Sequence, residues 1–173
     1  MTKRTSPAPV HSQRYPLLAP MLNQQRNDAA TPNRESGCRE LMSIEDWKRG
    51  WKALTTLRPN LSLQDFIARK PQLERDGYHL LGLFRDGDVV CVASYTLSPH
   101  PVYCREMIIH DMATLDGKQS NGCGSEILAY LDRLAGSLGC GRTFVASARA
   151  AKFYEKNGYI GHATALKKIH TER

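Results

Sequence analysis

The run Asp116-Gly117-Lys118-Gln119-Ser120-Asn121-Gly122-Cys123-Gly124-Ser125 passes straight into Ile127, Leu128, Leu131, Leu134 and Leu138, apolar positions at helical spacing. A glycine-rich loop that opens into an amphipathic helix aims several main-chain N–H groups, and the positive end of a helix dipole, at one point. Gly122 and Gly124 keep side chains away from where an anion would approach the backbone. The run therefore predicts a bound anion; a ligand-free strand-to-helix turn is the alternative. Two familiar phosphate motifs do not fit. Lys118 precedes Gly122, whereas a P-loop needs Gly-Lys-Ser/Thr after its glycines, and there is no GxGxxG.

Around this run the pattern predicts one globular unit. A short strand is expected at Arg39–Met42. Ser43-Ile44-Glu45-Asp46 starts a helix carrying Ile44, Trp47, Trp51, Leu54 and Leu57, and Ser62-Leu63-Gln64-Asp65 starts a second with Leu63, Phe66 and Ile67. Pro71 should break or kink that second helix near Lys70. Tyr78–Arg85 and Val89–Leu97 bracket Asp86-Gly87-Asp88 as a hairpin. A strand over Tyr103–Thr114 leads into the glycine run, and a helix over Gly122–Leu138 follows. Then come a strand at Thr143–Ala146, a short helix at Arg149–Lys156 ending on Asn157-Gly158, and a last strand over Tyr159–Ile169.

Residues 1–36 are polar and proline-rich without a hydrophobic period, and read as a disordered extension before a domain over 37–173. Met21 or Met42 is an alternative biological start. That extension holds five basic and two acidic side chains, +3 of the formal +7, leaving +4 for the domain. The domain is only mildly basic, which suits an anionic cofactor at least as well as a polynucleotide. Its apolar segments are strand-length, so no membrane span is expected and the cytoplasm is the default. Five cysteines without CxxC or Cys/His spacing argue against both a disulfide framework and a metal site. Cys123 stands near a helix start, but no histidine partner is placed for it, so cysteine catalysis is set aside.

Gln119-Ser120-Asn121-Gly122-Cys123-Gly124 fits Q/R-x-x-G-x-G/A, and Phe153-Tyr154-Glu155-Lys156-Asn157-Gly158-Tyr159 stands downstream. Together the two resemble the GNAT superfamily of acyl-CoA-dependent N-acyltransferases, over about residues 38–169. The resemblance implies a mixed α/β (α+β) fold, a mostly antiparallel central sheet flanked by helices. A splayed strand pair, here the strands ending at Thr114 and Ala146, would form a slot for acetyl-CoA. It implies that Gln119, Ser120, Asn121, Gly122, Cys123, Gly124 and Ser125 contact the pyrophosphate, with Lys118 nearby. Met112, Ala113 and Thr114 would pair with the pantetheine arm like an added strand. Gln119 replaces the commoner arginine and gives up a bidentate charge. The link after Ala146 is short where relatives place a coenzyme-contacting asparagine; Ser147 or Arg149 would substitute.

Tyr154 is the residue that resemblance makes catalytic, donating toward the coenzyme sulfur as the thiolate leaves; in an arbitrary helix it would be a buried aromatic. An alkylamine with pKa about 10.4 carries a deprotonation penalty near 4.6 kcal/mol at pH 7, so a base is needed. By alternation Glu106, Ile108, His110 and Met112 share one face of their strand, which makes Glu106 and His110 the candidates acting through water. A solvated glutamate and a satisfied histidine are the plain alternatives. Asp111 points the other way and reads as structural. Trp47 and Trp51 read as core, with a wall of the acceptor pocket as the second reading, and Pro99-His100-Pro101 reads as a connection.

The reading is an acetyl-CoA-dependent N-acetyltransferase acting by direct attack of a primary amine in a small molecule, peptide or protein. A homodimer is compatible with the exposed edge strands of such folds. A non-catalytic acyl-CoA-binding regulatory module is the rival, and a toxin-like acetyltransferase acting on aminoacyl-tRNA is a third, less favoured by the domain's +4.

Overall fold

The structure is a computed structural model describing residues 36–119, 121–147, 149–161 and 168. Within them run β1 (Gly37–Glu40), α1 (Ile44–Leu54), α2 (Leu63–Arg75), β2 (His79–Arg85), β3 (Asp88–His100), β4 (Cys104–Thr114), α3 (Cys123–Ser137), β5 (Arg142–Val145) and α4 (Ala151–Lys156). The extension expected over 1–36 lies outside the described residues, except Ser36. The final strand expected over Tyr159–Ile169 also falls largely outside them, and its described start, 159–161, is not extended into a strand.

The strands form one sheet in the order β1-β2-β3-β4-β5. β1 to β4 pair antiparallel, while β4 and β5 run parallel, because α3 carries the chain back across the sheet between them. The β2–β3 turn puts both Asp86 (φ 51°) and Gly87 (φ 82°) in the left-handed region, as a two-residue turn between twisted strands requires.

Both early helices start on their expected caps: Ser43 Oγ accepts from the Asp46 N–H and Ser62 Oγ from the Asp65 N–H, each at 3.0 Å. Pro71 does not end α2, which runs on to Arg75. One face of the sheet holds Leu80, Phe84, Val92 and Ala113 in a cluster with Trp47, Ala53 and Leu54 of α1 and Phe66 of α2. Trp47 anchors it, its ring stacked 4.7 Å from Phe66 and its indole N–H donating to the Leu41 carbonyl at 2.8 Å. Gly50 lets α1 lie close, since a Cβ there would come 2.7 Å from Leu41 Cδ1. The alternate strand positions, Leu81, Leu83, Cys91, Ala93, Tyr95, Met107 and Ile109, are buried as well, as are Ile127, Leu128 and Leu131 of α3, which packs against β2, β3 and β4.

Candidate active site

The parallel pairing of β4 with β5 is short. It runs from Glu106 opposite Arg142 to Ile109 opposite Val145, where β5 ends. β4 continues to Thr114 on β3 alone, so among the described residues its outer edge from His110 to Thr114 has no strand partner. Met112, Ala113 and Thr114, the expected pantetheine-pairing residues, all lie on this open edge. Thr114 is held from the other side, its hydroxyl donating to Cys91 Sγ at 3.2 Å.

At the end of that edge the glycine run makes its turn. The Leu115 N–H donates to the Val90 carbonyl at 2.9 Å and the Lys118 N–H to the Leu115 carbonyl at 3.0 Å, with Gly117 at φ 75°. Gly122, also at φ 75°, is the N-cap of α3 and supplies no side-chain cap. The first helical bond runs from the Glu126 N–H to the Gly122 carbonyl at 3.0 Å, which leaves the N–H groups of Cys123, Gly124 and Ser125 ahead of it. A left-handed cap with no Cβ and no capping side chain is a cradle open to an anion. Lys118, Gln119 and Asn121 stand exposed around it, Gln119 donating to Asp116 Oδ1 at 3.3 Å, and Ser120 lies outside the described residues.

Gly124 also packs against α4: a Cβ there would come 3.2 Å from the Phe153 ring. The next residue, Tyr154, is 8 % exposed, with its ring 5.1 Å from Phe153 and 5.5 Å from Tyr159, whose hydroxyl donates to Asp132 Oδ1 at 2.9 Å. Burial raises the Tyr154 phenol above its ordinary value, and the nearby Cys91 and Asp111 raise it further. Ser147, expected to help hold the coenzyme, caps the turn into α4 by accepting from the Ala150 N–H at 3.1 Å.

The expected common face of Glu106, Ile108, His110 and Met112 is broken. Tyr95 pairs with Ile109 and Ser94 with Asp111, which makes His110 an extra residue, a β-bulge. After it the alternation shifts. His110 lies beside the Tyr78 ring, 6.1 Å between centroids, with Nε2 2.9 Å from Thr96 Oγ1. Asp111 joins that same face, where Arg58 Nε and Nη2 both donate to its Oδ1 at 2.9 and 2.6 Å. Met112 turns to the other face with Thr114. Asp111 thus does not point away from His110, because a bulge changes the phase that alternation assumes. Burial lowers His110 below 6.5, against the opposing effect of Asp111, so its imidazole is neutral at pH 7.

Glu106 sits where β4 and β5 are still joined. Arg142, its register partner, donates to Oε2 through Nε at 2.9 Å and also through Nη2, and the guanidinium covers the Tyr103 ring at 4.5 Å. Both donors converge on one oxygen and hold the carboxylate against Arg142. Trp47 is core, and Trp51, half-buried, donates to the Leu61 carbonyl at 3.1 Å. Pro99 and His100 are not a connection but the end of β3, paired with Arg105 and Cys104, and His100 Nδ1 accepts from the Val102 and Tyr103 N–H groups at 3.1 and 3.3 Å to brace the turn that follows. Arg58 and Tyr78 had no motif to mark them, and Asp111 was marked only as the start of the strand end Asp111-Met112-Ala113-Thr114; the bulge that gathers them shows only in strand register. Among the described residues no three His, Cys, Asp or Glu side chains form a metal-binding group, and no helix is long and apolar enough to cross a membrane.

Residues 76–160 match the family model described as acetyltransferase (GNAT) domain. A glucosamine-6-phosphate N-acetyltransferase from Arabidopsis thaliana is similar in structure, with TM-score 0.65 and 18 % identity, over 78 % of this chain and 97 % of that one. An acetyltransferase from Trypanosoma brucei gives 0.65 and 21 %, over 76 % and 97 %. An aminoglycoside acetyltransferase from an uncultured soil metagenomic sample, in complex with sisomicin, gives 0.69 and 12 %, over 80 % and 97 %. At these identities the likeness is one of fold. No curated protein matches the chain in sequence.

Proposed function

Because residues 76–160 carry its domain on its fold, the chain belongs to the GNAT superfamily of acetyltransferases, and on that premise we propose that it moves an acetyl group from acetyl-CoA to a primary amine by direct attack. The observation that carries this reading is the open edge of β4 from His110 to Thr114, ended by the uncapped start of α3, on which Phe153, the neighbour of Tyr154, packs.

The main-chain N–H groups of Cys123, Gly124 and Ser125 receive the diphosphate, with Lys118 adding charge in place of an arginine at 119. Main-chain groups of Met112, Ala113 and Thr114 pair with the pantetheine amides as an added strand and hold the thioester still beside the bulge. His110, neutral at pH 7, takes the amine proton directly or through one water. Glu106, committed to Arg142, has no part in this.

Tyr154 hydrogen-bonds the departing sulfur. Handing a full proton from an ordinary phenol to a thiolate is uphill by about 2 kcal/mol. Burial lifts the Tyr154 phenol further, so full transfer becomes harder and a hydrogen bond that strengthens as sulfur gains charge is the role that fits.

The test is acetyl-CoA turnover against a chemically diverse amine panel, followed as free-thiol release. Amine-dependent release above slow hydrolysis is expected. Tight acetyl-CoA binding without release on any amine would mean a binding module instead.

A further inference from the structure

Asp111 carries a carboxylate that the proposed transfer does not use. Its side chain is 13 % exposed, and its main-chain N–H donates to Ser94 Oγ at 3.1 Å, so it is fixed. Its partner is not. Arg58 is 56 % exposed, stands in the loop between α1 and α2, and puts both its donors on Oδ1. Among the described residues Oδ2 accepts no hydrogen bond. Exposed guanidinium groups exchange such pairs easily, because solvent takes over most of what the pair gives. The bulge sets this carboxylate beside His110 and on the face lined by α1 and α2.

We propose that Asp111 is the seat of the acceptor's ammonium group and that Arg58 is its stand-in. The incoming ammonium replaces the guanidinium on Asp111, arriving next to the imidazole that will take its proton. One cation succeeds another, so the half-buried carboxylate is never left unpaired, and the cost of bringing a charged amine into the site is met by a preformed anion. The acceptor class that follows is an amine presented as a cation, without a carboxylate or phosphate close to the reacting nitrogen, since that group would meet Asp111. This inference rests on the acetyl-transfer reading.

The test is steady-state kinetics of Arg58→Gln and Asp111→Asn with the best amine from the thiol-release panel, at saturating acetyl-CoA, with circular-dichroism melts alongside. Removing the competitor should lower the amine KM by about threefold in Arg58→Gln without lowering kcat. Losing the seat should raise KM by about tenfold or more in Asp111→Asn. Arg58 is exposed, so Arg58→Gln carries the test even where Asp111→Asn does not fold. An unchanged or higher amine KM in folded Arg58→Gln overturns the proposal and makes the pair a staple for the α1–α2 loop. Wild-type protein that acetylates no amine overturns the acetyl-transfer reading itself, a result separable from the first because it appears before any variant is made.

Discussion

Gly124 and Phe153 are in contact: a Cβ added to Gly124 would meet Phe153 Cζ at 3.2 Å and Cε2 at 3.3 Å. The glycine that opens the anion cradle is therefore also the surface on which α4 rests, one residue before Tyr154. The start of α3 thus touches the residue next to the phenol.

Gly124→Ala should push the Phe153 ring and, with it, Tyr154. Overpacking of this kind typically costs about 1–3 kcal/mol, and here it should appear as a fall in kcat larger than any change in acetyl-CoA affinity. Gly124→Ala combined with Phe153→Leu should recover most of the lost kcat. Gly124→Glu, which brings bulk and negative charge to the cradle, should abolish coenzyme binding in a folded protein by calorimetry.

Tyr154→Phe removes the hydroxyl and keeps the ring packed between Phe153 and Tyr159. Turnover should drop about tenfold or more under conditions where chemistry limits the rate, with acetyl-CoA affinity little changed. Unaltered turnover there would take Tyr154 out of its role.

His110 is lowered below 6.5 by burial and Tyr154 is raised above 10 by burial. With the imidazole as base, kcat should fall as the pH drops through a value below 6.5, stay level from pH 7 to 9, and show no alkaline loss from the phenol in that range. His110→Gln should lower the plateau and erase the acid limb, whereas Glu106→Gln should keep it. An acid limb that survives His110→Gln would assign the base elsewhere.

Cys38, Leu83, Cys91 and Thr114 form one cross-strand row through β1, β2, β3 and β4. Burial pushes the Cys38 thiol up to about 12 and the Cys91 thiol up to about 11, from 9.0. The unfolded chain loses these protons first as pH rises, so the folded state holds more protons between the two values and stability declines above pH 9. Urea unfolding at pH 8 and pH 10 should show this loss, and Cys38→Val should make it smaller. Equal pH dependence in the variant would refute the assignment.

The elements were legible because local signals agree with tertiary needs. Ser43 and Ser62 cap, Asp86-Gly87 turns, and the apolar spacing of α3 faces the sheet. Of the two outcomes expected at Pro71, the break does not occur, because α2 runs on through it to Arg75. The turn at Gly122 and the helix start after it were legible because glycines and a helix start have a direct physical meaning, whereas Phe153 and Tyr154 were singled out by the family resemblance. His110 was legible as a candidate base beside Glu106, but its surroundings and the direction of Asp111 were not. Strict alternation put Met112 with His110 and turned Asp111 away, and a single inserted residue in β4 reversed both. Bulges are set by pairing with a neighbouring strand, so no window of one strand reveals them.

The account's central claim is tested most directly by a crystal structure with coenzyme A. The account predicts the diphosphate on the N–H groups of Cys123, Gly124 and Ser125, the pantetheine along Met112 to Thr114, and the sulfur within hydrogen-bond reach of the Tyr154 hydroxyl. Coenzyme A bound elsewhere, or a sulfur remote from that hydroxyl with the β4 edge empty, would contradict it.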